Sequence, residues 1–211
     1  MSHLTISRLE FVSEEQLLER LQQTRLRGFA QALVYEHASL RLVRDVDPLS
    51  LYPAQNYVLQ EEHQRLHTLY ELFMRQGINI FALTGAILFW LRYEDGVEEG
   101  PIPLTPPLVE ISHEPDGRLL PLINDGMHRV YTAMRLQSTI NIVQITNVPR
   151  QWPYYAYPLA NGWADVQELR SLPVDYVKKA YRDPQNYKDL FRDFNGVFPG
   201  IQKQRQRSLQ T

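Results

Sequence analysis

The chain has 211 residues, enough for one sizeable core or for one domain with appendages. Charged residues make up 22% and hydrophobic residues 44% of it, which is the composition of an ordinary globular protein. The formal net charge of -2 gives no overall field that would attract nucleic acid or an anionic membrane, and the absence of cysteine excludes disulfides, thiol catalysis and thiolate metal sites.

No segment of the sequence is typical of export or of membrane insertion. The first residues lack the basic region followed by an apolar core that a secretory signal requires. The longest apolar stretch, residues 78–91, is interrupted by Asn79, Thr84 and Gly85 and is too short to span a bilayer. We therefore expect a soluble, cytoplasmic protein that has no membrane partner.

The N-terminal part predicts one helix and one strand. Ser13 and Gln16 have the spacing of a capping box. Leucines then recur at helical spacing from Leu17, and Gly28 indicates the end of the helix. Residues 38–46 alternate apolar and polar side chains, which is typical of a half-buried strand.

A second helix is predicted after Pro53, because apolar side chains between Leu66 and Phe73 share one face and Gly77 ends the pattern. His63 and His67 are four residues apart on this helix, so they could bind one metal ion together. We favour a solvated helix face instead and predict no metal site, because no acidic third ligand follows in a fixed pattern.

Three segments with different patterns follow this helix. Residues 78–93 are rich in β-branched and aromatic side chains, which favour a strand. The prolines among residues 98–107 deny that segment a helix or a central strand, so we expect a loop. Residues 108–112 and 118–123 flank turn residues at 114–117 and give the clearest hairpin pattern of the chain.

The second hairpin strand leads into a polar junction. Asn124, Asp125 and Gly126 form a turn, and apolar side chains then recur at helical spacing up to residue 136. The first amides of a helix lack internal partners and carry partial positive charge, and His128 and Arg129 add side-chain donors. The junction is therefore either a cradle for an anion such as phosphate or an ordinary turn in which Asp125 caps the helix.

After Pro149 the sequence becomes aromatic, proline-rich and more basic. Tyr154, Tyr155 and Tyr157 could stack on bases, but we favour the packing of an extension onto the domain. From residue 150 onwards ten Lys or Arg face six Asp or Glu, an excess that is compatible with nucleic-acid contact. Residues 175–181 and 183–194 predict two helices, and residues 202–207 a frayed polar tail.

The junction and its flanks resemble the ParB/sulfiredoxin superfamily. Asp125, Gly126, His128 and Arg129 match its Asp-Gly-x-His-Arg signature, and the family's helix and short strand follow, the strand at residues 140–145. Upstream, residues 49–56, 60–77 and 108–123 are similar to its opening strand with a proline, its first helix and its central hairpin. The resemblance implies an α+β, ParB/sulfiredoxin-like domain at residues 38–148, with an insertion at about 81–106. An N-terminal helical segment (1–37) and a helical C-terminal extension (149–211) flank it.

The turn and helix start hold nucleotide phosphates in that superfamily. The resemblance therefore implies a nucleotide, ATP or CTP, with these cofactor-binding residues: Asn124, Gly126, Met127, His128 and Arg129. It also implies Asp125 and His128 as catalytic residues of a nucleotide hydrolase or of a phosphotransferase such as a small-molecule kinase. Asp125 and Asn124 would orient a hydroxyl or hold Mg²⁺. Some members use a glutamate as base, for which Glu61 and Glu62 are candidates. The catalytic cysteine of sulfiredoxin has no counterpart, so that reaction is excluded.

Two alternatives stay open. The first is a non-enzymatic DNA-binding or DNA-maintenance module of bacterial origin that keeps the fold and contacts DNA through the aromatic, basic C-terminal part. The net charge of -2 and the lack of a recognisable helix-turn-helix argue against it. The second is a structural protein with an empty site, against which the cluster of Asp, His and Arg at one turn argues. The oligomeric state is not predicted.

Overall fold

The computed structural model describes residues 4–198, 200 and 201. Within these residues the chain forms nine strands and three α-helices, and the predicted α+β class is confirmed. The strands are β1 (Thr5–Val12), β2 (Ser39–Val46), β3 (Tyr57–Leu59), β4 (Ala86–Arg92), β5 (Glu98–Leu104), β6 (Leu108–His113), β7 (Leu119–Asp125), β8 (Ile140–Thr146) and β9 (Gln167–Leu169). The helices are α1 (Glu14–Gln22), α2 (Gln60–Arg75) and α3 (Met127–Arg135).

A four-stranded sheet of order β2-β8-β6-β7 forms the centre of the molecule. The strand β6 pairs antiparallel with β7 and parallel with β8, and β8 pairs antiparallel with β2. Apolar side chains from β6 and β8 alternate between two buried clusters, of which one includes α3 and the other α1, while Ile123 of β7 joins the first and Leu122 a third, smaller cluster. The predicted hairpin is confirmed, and its second strand ends at Asp125, directly before α3.

The region predicted as an insertion forms β4 and β5, which join β1 in a three-stranded antiparallel sheet of order β1-β4-β5. The expectation of a loop at residues 98–107 is wrong for Glu98–Leu104, which forms β5. Pro101 and Pro103 are tolerated because β5 is an edge strand, where one side needs no hydrogen-bond donors. The strand β1, which pairs with β4, was not predicted.

The predicted N-terminal helix forms as α1 and begins with the predicted capping box. The Ser13 hydroxyl accepts a hydrogen bond from the Gln16 amide, and the Gln16 side chain accepts one from the Ser13 amide, each at 3.2 Å. Leu17 and Leu21 are fully buried. The helix ends at Gln22 rather than near Gly28, because the chain then turns into short bridges with residues 33 and 192.

The C-terminal extension contains no α-helix between residue 149 and residue 198, so both helices predicted there are wrong. The amide of Tyr157 donates to Ala180 O and the amide of Arg182 donates to Tyr155 O, at 2.8 and 3.0 Å. These bonds join two extended segments and use backbone groups that a helix would pair internally. Short 3-10 turns occur at Gly162–Asp165, Tyr187–Leu190 and Asn195–Val197. The predicted polar tail at 202–207 lies outside the described residues.

In the described part of the chain, none of the helices has the length and apolar character that crossing a membrane requires. The division into residues 1–37, 38–148 and 149–211 stays a prediction. Contacts cross both proposed boundaries, since β1 pairs with β4 and the parallel pair β3–β9 joins the extension to the domain.

Candidate functional site

The turn between β7 and α3 is built on a left-handed glycine. Gly126 has φ +87° and occupies the N-cap position, so the expectation that Asp125 caps the helix is wrong. No side chain of the described residues caps α3. The first amides of this nine-residue helix therefore lack internal partners.

Close packing adds a second reason for glycine at this position. A Cβ on Gly126 would lie 2.8 Å from Arg129 Nη2 and 2.9 Å from Pro107 Cβ. Both distances are shorter than van der Waals contact, and the positive φ is itself unfavourable for a residue with a side chain. The packing of Pro107 and Arg129 against Gly126 thus fixes the backbone of this turn.

A small cavity of about 170 Å³ opens at the turn. It brings together five of the six predicted site residues, from Asn124 to His128, and adds a lysine from the C-terminal extension. Its lining residues in the described chain are Ala54, Gln55, Ile123, Asn124, Asp125, Gly126, Met127, His128 and Lys179.

Arg129 is the predicted site residue that does not line the cavity. Its guanidinium donates to Asp125 Oδ2 at 2.8 Å and to the carbonyl oxygen of Thr105. The Arg129 side chain is only 11% exposed, and this spacing of four residues along the chain matches a helical ion pair. In this structure Arg129 stabilises the turn through its bonds to Asp125 and Thr105. Its direct contact with a phosphate stays a prediction.

Asn124 connects the turn to a buried polar network. Its amide nitrogen donates to the hydroxyl of Tyr35 at 3.2 Å, and Tyr35 donates in turn to Glu110. Glu110 accepts from Arg192 at 2.9 and 3.1 Å. The amide oxygen of Asn124 is buried and has no hydrogen-bond partner among the described residues, so it can accept a bond from a ligand.

His128 also carries an unfilled hydrogen-bonding position. Its Nε2 atom is buried and has no partner among the residues that the structure describes. Burial lowers the pKa of His128 below its usual value, while Glu62 raises it and His63 lowers it. The imidazole is therefore neutral at pH 7 and can take up a proton when an anion arrives.

His63 lies on α2, beside α3, and its tautomer follows from its contacts. Thr132 Oγ1 donates its one proton to His128 O at 2.8 Å, so its 3.0 Å contact with His63 Nδ1 requires His63 as the donor. The neutral ring then keeps a lone pair on Nε2. Burial lowers the pKa of His63 as well.

The predicted pair of His63 and His67 does not converge on a common point. His63 contacts Thr132, whereas His67 Nδ1 lies 3.5 Å from Glu71 on its own helix. In the described residues no group of three or more His, Asp or Glu could hold a metal ion. The predicted roles of Glu61 and Glu62 as a base stay predictions, although Glu62 acts electrostatically on His128.

Lys179 is the residue that the sequence analysis missed. Its ammonium donates to the hydroxyls of Tyr154, at 3.0 Å, and of Tyr155, and lies 5.4 and 4.6 Å from the centres of their rings. These contacts position a positive charge at the cavity that contains the first residues of α3. The only sequence signal was the basic excess after residue 150.

The aromatic run packs, as favoured from the sequence. Tyr154 is 2% exposed, and its ring centre lies 4.2 Å from that of Tyr155, which also packs against Phe191. Tyr181 stacks on Tyr187 at 3.8 Å. These rings therefore pack against one another, and Tyr154 and Tyr155 support Lys179.

Comparison with known proteins gives one match. A family model described as the ParB CE domain matches residues 16–167, which include most of the two buried clusters, the turn and most of its cavity. The match confirms the resemblance to ParB-like proteins that the sequence analysis stated. Neither the curated proteins nor the solved structures that were compared with the chain gave a match.

Proposed function

The chain belongs to the ParB CE domain family, and from that premise we propose that it binds the phosphates of a nucleotide at the turn between β7 and α3. ATP and CTP are the proposed nucleotides. The reaction that we propose is hydrolysis of the nucleotide or transfer of its phosphoryl group to a small molecule.

The observation that carries the proposal is the convergence of phosphate-binding donors on one cavity. The uncapped amides at the start of α3 and the ammonium of Lys179 belong to residues that line it, and His128, whose buried Nε2 has no partner among the described residues, lines it as well. Backbone amides at a helix start and a lysine ammonium are common phosphate ligands in proteins.

The size of the cavity supports a phosphate group rather than a whole nucleotide within it. Its volume is about 170 Å³, below the range of about 300 to 1,000 Å³ that is usual for pockets that enclose a ligand. The phosphates would therefore occupy the cavity, and the nucleoside would extend beyond it.

Asp125 is the proposed partner of Mg²⁺ or of the acceptor hydroxyl. One of its carboxylate oxygens accepts from Arg129, and the side chain is 47% exposed, so the other oxygen can reach a ligand. The buried amide oxygen of Asn124 is a second hard ligand on the same turn. Mg²⁺ is usually held by few protein oxygens together with phosphate oxygens and water, which these two residues fit.

His128 is the proposed proton acceptor. Because burial keeps its imidazole neutral at pH 7, Nε2 can accept a proton from an attacking hydroxyl or water. The negative charge of bound phosphates would raise its pKa and favour that transfer.

A thermal-shift panel tests binding. The full chain is melted with ATP, ADP, CTP or GTP, each with and without Mg²⁺, because a ligand of the native state raises the melting temperature. We expect a shift with ATP or CTP, and its loss in His128→Ala. His37→Ala is the matched control, since His37 is fully exposed and far from the turn in sequence.

The absence of a shift with every nucleotide would contradict the proposal and favour the DNA-binding alternative. The basic excess after residue 150 supports that alternative, although Arg182 and Arg192 are used in buried ion pairs with Glu114 and Glu110. A cytoplasmic location and a bacterial origin stay predictions.

A further inference from the structure

A cavity larger than the one at the turn opens elsewhere on the molecule. Its volume is about 560 Å³, and it opens between the β6–β7 hairpin and the segment at residues 148–153. Arg182 of the C-terminal extension lines it together with Glu110, Ser112 and Glu114. The volume falls within the usual range for pockets that enclose a small molecule.

The floor of this cavity is polar where a sheet face is usually apolar. Glu110 and Ser112 alternate along β6 and therefore point to the same side, and Glu114 follows at the hairpin turn. All three are buried, Glu110 being only 2% exposed. Apolar side chains of similar size are often as stable as buried ion pairs, so such a floor indicates a binding role.

Arg182 and Glu114 form an ion pair with unused hydrogen-bonding capacity. Arg182 Nη2 donates to Glu114 Oε1 at 2.6 Å and to Ser112 Oγ at 3.3 Å, and Ser112 donates to the same Glu114 oxygen at 2.7 Å. Arg182 Nε is buried without a partner among the described residues, and the bonds that Glu114 accepts from Arg182 and Ser112 both go to its Oε1. The Arg182 side chain is 10% exposed and lies over the ring of Tyr157.

The unused groups define the complementary ligand. A donor on Arg182 beside an acceptor on Glu114 matches a molecule that presents an acceptor next to an N–H donor. Pro115, Pro149, Pro153 and the ring of Tyr154 give the cavity flat, apolar walls, which suit a planar ring.

We propose that this cavity binds a planar heterocycle of the nucleobase type, with its edge hydrogen-bonded between Arg182 and Glu114. Purine and pyrimidine bases carry acceptors and amino or imino donors side by side on one edge. The base can come from a free nucleoside or from a single-stranded nucleic acid, and the chemistry of recognition is the same for both.

The proposal does not depend on phosphate binding at the turn. None of the residues that line the larger cavity in the described chain also lines the smaller one. The two cavities share only a boundary, since Tyr154 lines the larger one and its hydroxyl accepts from Lys179 of the smaller one. A phosphate-free probe therefore tests the larger cavity alone.

The first experiment titrates the isotope-labelled full chain with adenosine, guanosine, cytidine and uridine and follows its backbone amides by NMR. We expect at least one nucleoside to shift the amides of Ser112, Glu114 and Arg182 in a saturable way, whereas ribose shifts none of them. The inference is overturned if no nucleoside shifts these amides, or if shifts occur only at residues 124–128.

The second experiment removes the unused donor while keeping the charge. Arg182→Lys retains a cation beside Glu114 but lacks Nε and the planar fork, so we expect nucleoside affinity to fall about tenfold or more. Arg170→Lys is the matched control, because Arg170 is exposed and lies in the same extension. If the folded Arg182→Lys protein and the wild type bind the nucleoside with equal affinity, the proposed hydrogen bond between Arg182 and the edge of the base is overturned.

A third titration distinguishes the two sources of the base. A five-nucleotide single strand of the preferred base is compared with its nucleoside at two salt concentrations. Tighter, salt-sensitive binding that Arg150→Gln weakens would assign the site to nucleic acid, since Arg150 lies exposed at the cavity. Equal affinities would assign it to a free nucleoside. The nucleosides carry no phosphate, so failure of the phosphate proposal and failure of this one are distinguishable.

Discussion

His128 is the single residue on which the chemistry of the turn depends most. The residue is half-buried, its buried Nε2 has no partner among the described residues, and burial lowers its pKa. A neutral imidazole in that position is costly to protonate without a ligand and easy to protonate beside a phosphate. The same property makes the stability of the protein depend on pH.

The pH dependence has a defined sign. Because the pKa of His128 is lower in the folded than in the unfolded chain, the unfolded chain binds more protons as the pH falls below about 6.5. We therefore expect stability to fall between pH 7.5 and pH 5.5, and His128→Gln to make this loss smaller. The measurement is urea unfolding at both pH values.

His37→Gln is the control for this prediction, because His37 is exposed. It should leave the pH dependence unchanged. An identical loss of stability in His128→Gln and in the wild type would contradict the assignment, since His63 alone would then account for the effect.

The residues of the turn could be predicted from the sequence because they are consecutive. Asn124 to His128 meet at one cavity simply because β7 leads directly into α3. Arg129 could not be placed, since its partner, the carbonyl of Thr105, is distant in sequence. Lys179 was missed for the same reason. About fifty residues separate it from the turn in sequence, and the segment that places it at the cavity has no regular secondary structure.

At the scale of elements, the strand–helix junction depends on Gly126. Its positive φ and its contacts with Pro107 and Arg129 make two separate demands on this position. Gly117, in the β6–β7 turn, has nearly the same φ of +84° but would place a Cβ in open space. A substitution at Gly117 therefore measures the cost of the positive φ alone, whereas one at Gly126 adds the cost of steric overlap.

We predict that Gly117→Ala lowers the free energy of unfolding by about 1 to 2 kcal/mol, the cost of a left-handed backbone for a residue with a side chain. Gly126→Ala should cost at least about 1 kcal/mol more, because the added methyl group overlaps Pro107. Urea unfolding measures both. Equal losses of unfolding free energy in the two variants would mean that the turn at Gly126 adjusts to the added methyl group and is not fixed by packing.

Elements with local signals were predicted, and those fixed by distant partners were not. The capping box of α1 and the turn of the β6–β7 hairpin are encoded within a few residues, and both formed as expected. The strand β5 carries prolines that usually indicate a loop and exists because β4 pairs with one of its sides. Residues 175–181 have helical composition but bond to residues 155–157 instead.

At the scale of the whole molecule, two buried ion pairs attach the C-terminal extension to β6 and the hairpin turn that follows it. Arg192 binds Glu110 and the backbone carbonyls of Trp152, Pro153 and Leu190, and Arg182 binds Glu114. Nearby Glu110 raises the pKa of Arg192 further, so this guanidinium stays charged despite its burial. Lys179 lies three residues before Arg182 in sequence, so we expect it to reach the turn only if this attachment holds.

Arg192→Met should lower the free energy of unfolding by about 3 to 5 kcal/mol, because it leaves the carboxylate of Glu110 buried without a cation. Urea unfolding is the measurement. Arg170→Met serves as the control, since the loss at an exposed arginine should stay within about 0.5 kcal/mol. A loss below about 1 kcal/mol for Arg192→Met would contradict the proposed attachment.

The central claim is that nucleotide phosphates bind at a turn to which the C-terminal extension contributes a cation. Isothermal titration of the full chain with ATP and with CTP, in the presence of Mg²⁺, tests it most directly when wild type, Lys179→Met and Lys178→Met are compared. Lys178 is exposed and adjacent, so it controls for the loss of one positive charge. We predict that Lys179→Met weakens binding about tenfold to a hundredfold, as expected for a charged hydrogen bond, while Lys178→Met stays close to wild type. Equal affinities of all three proteins, or no binding by the wild type, would contradict the claim.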